Sequence, residues 1–300
     1  MSQKIVIDPV TRVEGHGKVT IHLDDQNKVK DAFFHIVEFR GFERFIQGHP
    51  YWEAPVMVQR LCGICPVSHH LAAAKAIDQI VGLDPEDLSL PAQKIRRLLH
   101  FGQVFQSHAL HFFYLASPDL LFGYDADPLK RNVVGVAMEY PEIAKKGILM
   151  RKFGQEIIKM ITGKKIHGIS ASPGGVHKHI TPKEIQYFLD GTDIPNINTM
   201  IDWSLEILQF IKAYHENNKM FLDSFAAYPS GHLGLVNKKN GFLELYDGFL
   251  RATDAEGTIT LDDIENETYA DYFYESVERW SYLKFPYLKH LGKEKGWNRV

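Results

Sequence analysis

The sequence predicts an α+β protein in which a small antiparallel β meander at the amino terminus packs on a mainly helical bundle. The first indication is the alternation of apolar and polar residues in "KIVI", "GKVTIHLD" and "VKDAFFHIVE", with "DDQNK" as a turn, over roughly the first 38 residues. The second is a series of later segments with helical spacing and clear start and stop signals. We therefore expect a meander over 1–48 and a helical bundle over 49–300, with a short β excursion near 257–263.

The predicted helices are long, and most carry terminal signals. The segment "PEDLSLPAQKIRRLLHFGQVFQSHALHFFYLA" offers Ser89 as an N-cap, and "PEIAKKGILMRKFGQEIIKMITG" begins at Pro141 and ends at Gly163. "TPKEIQYFL" contains a Thr-x-x-Glu capping box, and "INTMIDWSLEILQFIKAYHENNKMFL" is a further long helix. His108 and His111 are expected to be buried in the first of these helices, and "DYFYESVERWSYLKF" is expected to be helical.

The composition excludes several classes of protein. Hydrophobic residues make up 45% and charged residues 24% of the 300-residue chain, which are ordinary globular values. A formal net charge of -3 without a basic block favours neither nucleic acid nor an anionic membrane as a partner. No secretory signal precedes "DPV", and polar residues interrupt the apolar stretch 98–122, so we expect no membrane span and a cytoplasmic protein.

Both cysteines of the chain lie in "RLCGICPVSHH" at 60–70. Pro66 is typical of a first helical position, which makes Cys65 an N-cap whose thiolate the helix dipole favours. His69 follows one helical turn later on the same face, and Arg60 adds a positive charge. These residues indicate half of a site for a soft metal.

Two other interpretations of the motif remain open at this point. A thioredoxin-like redox switch would follow a strand, whereas "HPYWEAPVMVQR" is helical or irregular in pattern. A structural zinc site needs four protein ligands, and this segment supplies three at most.

"RLCGICPVSH" resembles the first metal motif of nickel-iron hydrogenase large subunits, R-x-C-G-x-C-x-x-x-H. The chain also has "RVEGHGKV" (12–19), "FRGFE" (39–43), "SHALHFFYLASPDL" (107–120) and "SPGGV" (172–176), all in the order of that family. The segment "GFERFIQGHPYWEAPVMVQRLCGICPVSHH" is most similar to the soluble, cytoplasmic, bidirectional branch linked to NAD. An F420-linked or ferredoxin-linked large subunit is the nearest alternative.

The resemblance implies a metal centre and a reaction. Nickel would be bound by four thiolates, two of which bridge to an iron that carries cyanide and carbon monoxide, and magnesium would bind nearby. On this sequence, Cys62 would be a terminal nickel ligand and Cys65 a bridging one. The implied reaction is the reversible heterolytic cleavage of H2.

The resemblance also implies roles for residues around the metals. Glu14 would relay protons, which requires a buried carboxyl group, and Glu43 would bind magnesium. Arg60 and His69 would surround the thiolates, and Asp119 would help to form a polar canopy over the metals. His167 and "PGGV" would face the partner subunit.

The implied partners follow from the cysteine count. Because the chain has only two cysteines, the iron-sulfur clusters that accept the electrons would lie in a hydrogenase small subunit, with an NAD-reducing diaphorase module beyond it. The second C-x-x-C of the family is absent, so we expect these residues to be the amino-terminal part of a longer subunit, and to be inactive by themselves. The rival functions are a metal-free relative such as the quinone-site subunit of NADH dehydrogenases, or a non-catalytic assembly scaffold.

Overall fold

The computed structural model describes residues 3–38, 41–191, 193–225 and 227–296, so Phe39 and Arg40 of the "FRGFE" motif lie outside it. The contacts divide the chain into two units, which are Met1–Arg40 with Asn218–Val300, and Gly41–Asn217. Both helices and antiparallel strands are present, which confirms the α+β class.

Strands and helices have the following bounds within the described residues. The strands are β1 (Lys4–Ile7), β2 (Gly17–Leu23), β3 (Val29–Ile36), β4 (Ala171–Ser172), β5 (Gly175–Val176), β6 (His232–Val236), β7 (Phe249–Thr253), β8 (Ile259–Ile264), β9 (Phe273–Val277) and β10 (Lys284–Leu288). The α-helices are α1 (Phe42–Phe45), α2 (Ala54–Met57), α3 (Pro66–Ile80), α4 (Leu90–Leu110), α5 (Ser117–Phe122), α6 (Val133–Glu139), α7 (Pro141–Thr162), α8 (Pro182–Asp190), α9 (Ile197–Asn217), α10 (Lys219–Leu222), α11 (Tyr269–Tyr272) and α12 (Gly292–Gly296).

The first unit contains the predicted meander, in which β1, β2 and β3 pair antiparallel in sequence order. Two backbone groups of Ile36 connect its third strand to residues near the carboxyl end: the N–H donates to Ser281 Oγ at 3.1 Å, and the carbonyl accepts from Tyr282 N–H at 3.0 Å. Residues 218–300 therefore share a unit with the meander, a grouping that differs from the predicted division at residue 48.

The carboxyl-terminal part of this unit has more β structure than the sequence predicted. The strand expected near 257–263 is present as β8, and it joins β6 and β7 in a three-stranded antiparallel sheet. The helix expected for "DYFYESVERWSYLKF" is wrong, because only α11 is helical and β9 pairs antiparallel with β10. Its aromatic-rich sequence suits a strand, and the partner strand lies far enough along the chain that local spacing does not reveal it.

The second unit is helical, and its long helices begin and end where the sequence signals predicted. Ser89 Oγ accepts from the N–H of Ala92 at the start of α4, and α7 runs from Pro141 to a left-handed Gly163. Thr181 and Glu184 form the capping box of α8. Within the described residues, no helix is long and apolar enough to cross a membrane.

Helices α4 and α7 cross at a close distance that glycine permits. A Cβ at Gly154 would lie 2.7 Å from the Gly102 carbonyl oxygen and 2.7 Å from Gln106 Cβ. Beyond this crossing, the helix continues from α4 into a π-helical segment, His111–Ala116, where Phe113 packs against Gly147. His108 and His111 are exposed at this end, so the expectation that both are buried is wrong.

Candidate metal centre

Three side chains with metal-binding atoms converge in the helical unit. The ligand atoms of Cys62, Cys65 and His69 lie within 4.8 Å of one another. Cys62 is buried, while Cys65 and His69 are half-buried. Among the described residues, this is the one group of three or more histidine, cysteine or carboxylate side chains with such a spacing.

The local backbone explains why these side chains meet. A 3-10 turn, Val58–Leu61, ends at Cys62, which is extended, and Cys65 is then the N-cap of α3. Pro66 occupies the first position of α3, where a missing N–H costs no hydrogen bond. The partial positive charge at this helix end stabilises a thiolate at Cys65, and His69 is one turn further along the same face.

A backbone hydrogen bond lies inside the C-x-x-C turn. The N–H of Cys65 donates to the Sγ atom of Cys62 at 3.3 Å. An N–H donor favours the charged thiolate over the neutral thiol. The turn therefore stabilises negative charge on both sulfur atoms, by this hydrogen bond at Cys62 and by the helix end at Cys65.

Two glutamines of α4 hold the middle of the same turn. The side-chain amides of Gln103 and Gln106 each donate to the carbonyl oxygen of Ile64 at 3.0 Å. Both glutamines are buried, with exposed fractions of 3%. The turn between the cysteines is thus connected directly to the interior of the helical unit.

His70 connects the metal-binding helix to two other segments. Its Nδ1 atom is 2.9 Å from the Pro55 carbonyl oxygen, and its Nε2 atom accepts from the N–H groups of Ser170 and Ala171 at 3.2 and 3.0 Å. These partners require the proton on Nδ1 and a neutral ring. Burial lowers the pKa of His70, in agreement with the neutral form.

His167 supports the turn from the other side. Its Nε2–H is within 3.2 Å of the Gln59 carbonyl oxygen and 3.3 Å of the Cys62 carbonyl oxygen. The residue has a left-handed backbone, with φ of 53°. The sequence suggested that His167 faces a partner subunit, and this contact with the cysteine segment was not anticipated.

The remaining predicted site residues are not brought into this cluster. Arg60 is exposed at the end of the 3-10 turn, and Asp119, on α5, forms an ion pair with Arg131 at 3.4 Å. Glu43 is exposed on α1 and belongs to no group of three potential ligands among the described residues. Glu14 is exposed in the loop between β1 and β2, and it belongs to the other unit.

The donor set suits a soft transition metal. Two thiolates and an imidazole are softer ligands than the oxygen atoms that magnesium or calcium requires. Burial lowers the pKa of His69, which keeps its imidazole neutral and able to bind a metal or to accept a hydrogen bond. Cys62 and Cys65 therefore fit two positions of a thiolate-rich nickel site.

Comparison with known proteins agrees with this chemistry. The family described as "Nickel-dependent hydrogenase" matches residues 40–132, and a family described as "HoxL-like" matches residues 4–39. One subunit of the F420-non-reducing hydrogenase vhu of Methanocaldococcus jannaschii is 42% identical over 298 residues, which are 99% of this chain and 68% of that protein. The chain belongs to the nickel-dependent hydrogenase family.

Other relatives within this family include NAD-linked enzymes. The NAD-reducing hydrogenase HoxS subunit beta of Cupriavidus necator is 47% identical over 304 residues, covering 100% of this chain and 62% of that subunit. The crystal structure of an NAD+-reducing NiFe hydrogenase in the H2-reduced state superposes with a TM-score of 0.93 at 51% identity, over 98% of this chain and 63% of that one. The chain thus spans roughly two thirds of the length of these hydrogenase subunits.

A more distant structure shares the fold. The Ni-Fe-Se hydrogenase of D. vulgaris Hildenborough in the reduced state has a TM-score of 0.72 at 20% identity, over 96% of this chain and 64% of that chain. At this identity, the likeness concerns only the fold.

Four residues around the cysteine turn of this hydrogenase chain were not predicted: His70, His167, Gln103 and Gln106. The two glutamines did give a signal, because polar residues three positions apart in an otherwise apolar helix need buried partners. For His70 and His167 the partners are backbone groups distant in sequence, and no spacing rule connects them.

Proposed function

We propose that this protein is the large subunit of a nickel-iron hydrogenase that catalyses the reversible heterolytic cleavage of H2 to protons and electrons. The observation that carries the proposal is the convergence of Cys62, Cys65 and His69 within 4.8 Å in a chain of the nickel-dependent family. The motif is therefore a metal site in preference to a thioredoxin-like switch, for which no strand precedes the cysteines in the described segment.

Cys62 and Cys65 would hold the metals. We assign Cys62 to nickel alone and Cys65 to a position bridging nickel and iron, with cyanide and carbon monoxide as further ligands of the iron. When bound, such a centre polarises H2 and accepts its electrons. These two cysteines are the only ones in the chain, so they are its whole share of the four-thiolate donor set.

The surrounding residues would tune and orient the thiolates. His69 is one helical turn from Cys65 and neutral, so its ring can hydrogen-bond toward sulfur and fix the position of the ligand. Arg60 precedes Cys62 by two residues and adds positive charge to the environment of the thiolates. Asp119, held by Arg131, would contribute to a polar canopy over the metals.

Proton transfer and magnesium binding involve the two glutamates. Glu14 would exchange protons with a thiolate, a role that requires burial, whereas its side chain is exposed in the described chain. The proposal therefore requires that Glu14 be covered in the assembled enzyme. Glu43 would supply a hard carboxylate oxygen to magnesium.

The electrons would leave through a partner, because no cysteines remain in this chain to bind clusters. We infer two partners, which are a diaphorase module that reduces NAD and an iron-sulfur small subunit. Similarity to the NAD-reducing enzyme of Cupriavidus necator supports this acceptor at 47% identity, against 42% for the F420-non-reducing enzyme of Methanocaldococcus jannaschii. The cytoplasm, where NAD is available, remains the predicted location.

The proposal is tested on the complex isolated from the cells that make it. We expect H2 to exchange with D2O in that complex, and NAD to be reduced when H2 is supplied. Cells grown without nickel should give a complex that lacks both activities. A nickel-containing complex without H2–D2O exchange would refute the function, whereas exchange without NAD reduction would refute only the acceptor.

A further inference from the structure

One peptide unit in the cysteine turn connects α4 with a metal-binding sulfur. The carbonyl oxygen of Ile64 accepts from the side chains of Gln103 and Gln106, each at 3.0 Å. The N–H of the same peptide unit belongs to Cys65 and donates to Cys62 Sγ at 3.3 Å. The two ends of this one peptide are therefore held by different parts of the protein.

The planarity of the peptide couples these two contacts. In a trans peptide the C=O and N–H bonds lie in one plane and point in opposite directions, so fixing the oxygen also fixes the direction of the N–H. A carbonyl oxygen has two lone pairs, and the two glutamine amides supply a donor for each. Rotation of this peptide would break both buried hydrogen bonds as well as the N–H···S contact.

We propose that Gln103 and Gln106 are positioning residues which hold the Cys65 N–H against the sulfur of Cys62 and thereby tune that thiolate as a metal ligand. The inference rests on the proposed function in that Cys62 binds nickel. A hydrogen bond to a ligating sulfur withdraws electron density from it and stabilises the more reduced state of the centre. The glutamines would thus act on the reduction potential without contacting the metal.

The packing of α4 makes these two side chains rigid. Both are buried, and the close crossing of α4 and α7 at Gly102 and Gly154 lies beside them. The Cβ atom of Gln106 is one of the atoms nearest to Gly154. A rigid donor pair suits orientation of a peptide better than an exposed, mobile pair does.

The competing interpretation is that the glutamines only satisfy a buried carbonyl group and stabilise the fold. The two interpretations differ in what they predict for the metal centre. Stabilisation alone lowers resistance to denaturation and leaves the reduction potential unchanged. Positioning changes both the Cys65 amide and the potential.

The test uses Gln103→Met, Gln106→Met and the double variant, because methionine has a similar length and lacks the N–H donors. Gln93→Met is the matched control, since Gln93 lies on the same helix and donates to the Leu88 carbonyl at 2.7 Å, outside the cysteine turn. Hydrogen exchange of the Cys65 amide is measured in protein made without nickel. The midpoint potential of the nickel centre is measured in the assembled complex.

We expect Cys65 amide exchange about tenfold faster in the double variant, the factor that corresponds to losing a buried hydrogen bond or two. The midpoint potential should fall below that of the parent, the single variants should lie between, and Gln93→Met should change neither quantity. Unchanged amide exchange, or an unchanged potential in a variant with a fast-exchanging amide, would overturn the inference.

The two readouts separate this inference from the proposed function. If the parent complex holds no nickel, the proposed function is wrong, and amide exchange still decides whether the glutamines orient the peptide. Should the double variant not fold, the single variants decide, because each keeps one of the two donors.

Discussion

The guanidinium group of Arg96 and the carboxylate of Asp78 form an ion pair inside the helical unit, with side-chain exposures of 1% and 6%. Both groups also hold the "SPGGV" segment: Arg96 donates to the carbonyl oxygens of Ser172 and Gly175, and Asp78 accepts from the Gly174 N–H at 2.8 Å. The hairpin of β4 and β5 is therefore attached to α3 and α4 by buried charges.

Asp78→Asn should destabilise the protein by about 3–5 kcal/mol, because it leaves the buried guanidinium without its counter-charge. Urea denaturation measures the change. Asp262→Asn is the matched control, since it breaks the exposed pair of Asp262 with Arg251 and should change stability little. A loss at Asp78 no larger than at Asp262 would contradict the structural role of the ion pair.

Gly154→Ala should destabilise the protein by about 1–3 kcal/mol, because the new methyl group meets backbone atoms of α4 that have no room to move. Thermal denaturation is the measurement. Gly234→Ala, at a strand position where an added methyl carbon would have no atom within 4 Å, should be nearly neutral. Equal stability of the two variants would show that α4 and α7 are further apart than described.

Glu184→Gln should cost about 1 kcal/mol near neutral pH, because it weakens the capping box of α8. The hydrogen bond from Lys178, followed by those from Thr181, lowers the pKa of Glu184 from 4.5 to about 2. A lowered folded-state pKa gives stability that is present above pH 4.5 and is lost as the pH falls toward 2. The difference between parent and variant should therefore shrink across this window.

Denaturation curves recorded at about pH 7 and about pH 3 check this dependence. Glu86→Gln, at an exposed position in the 3-10 turn Pro85–Asp87, is the control. A parent–variant difference for Glu184 that stays constant between the two pH values would contradict the lowered pKa.

Glu14→Gln should leave the metal content unchanged and slow H2–D2O exchange strongly, because the amide keeps the shape of the carboxyl group and does not titrate. Glu256→Gln, in an exposed turn, should exchange at the parent rate. Exchange at the parent rate in Glu14→Gln would exclude Glu14 as the proton relay.

Local signals in the sequence predicted the helices well. Pro141 with Gly163, and Thr181 with Glu184, satisfy backbone groups at helix ends from within a few residues, so the sequence carries the whole signal. The β9–β10 hairpin and the sheet partners of β8 were not predicted in this way. Their pairing depends on contacts between segments whose alternation is weak and rich in aromatic residues.

The candidate site shows the same limit. The spacing of Cys62, Cys65 and His69 predicted their convergence, since a helix places residues four apart on one face. The support from His70, His167 and the two glutamines of α4 was not predicted, because their partners are backbone atoms brought close only by tertiary packing. Sequence motifs therefore identified the ligands, and the structure identified what holds them.

The most direct test of the account is the nickel content of the isolated complex when Cys62 or Cys65 is replaced by serine. A hydroxyl group is a hard and weakly binding substitute for a thiolate, so both Cys62→Ser and Cys65→Ser should lose nickel and H2 oxidation together. Ser68→Ala, on the same helix turn, should retain the nickel content of the parent. Full nickel content with normal H2 turnover in either cysteine variant would contradict the assignment of these thiolates as metal ligands.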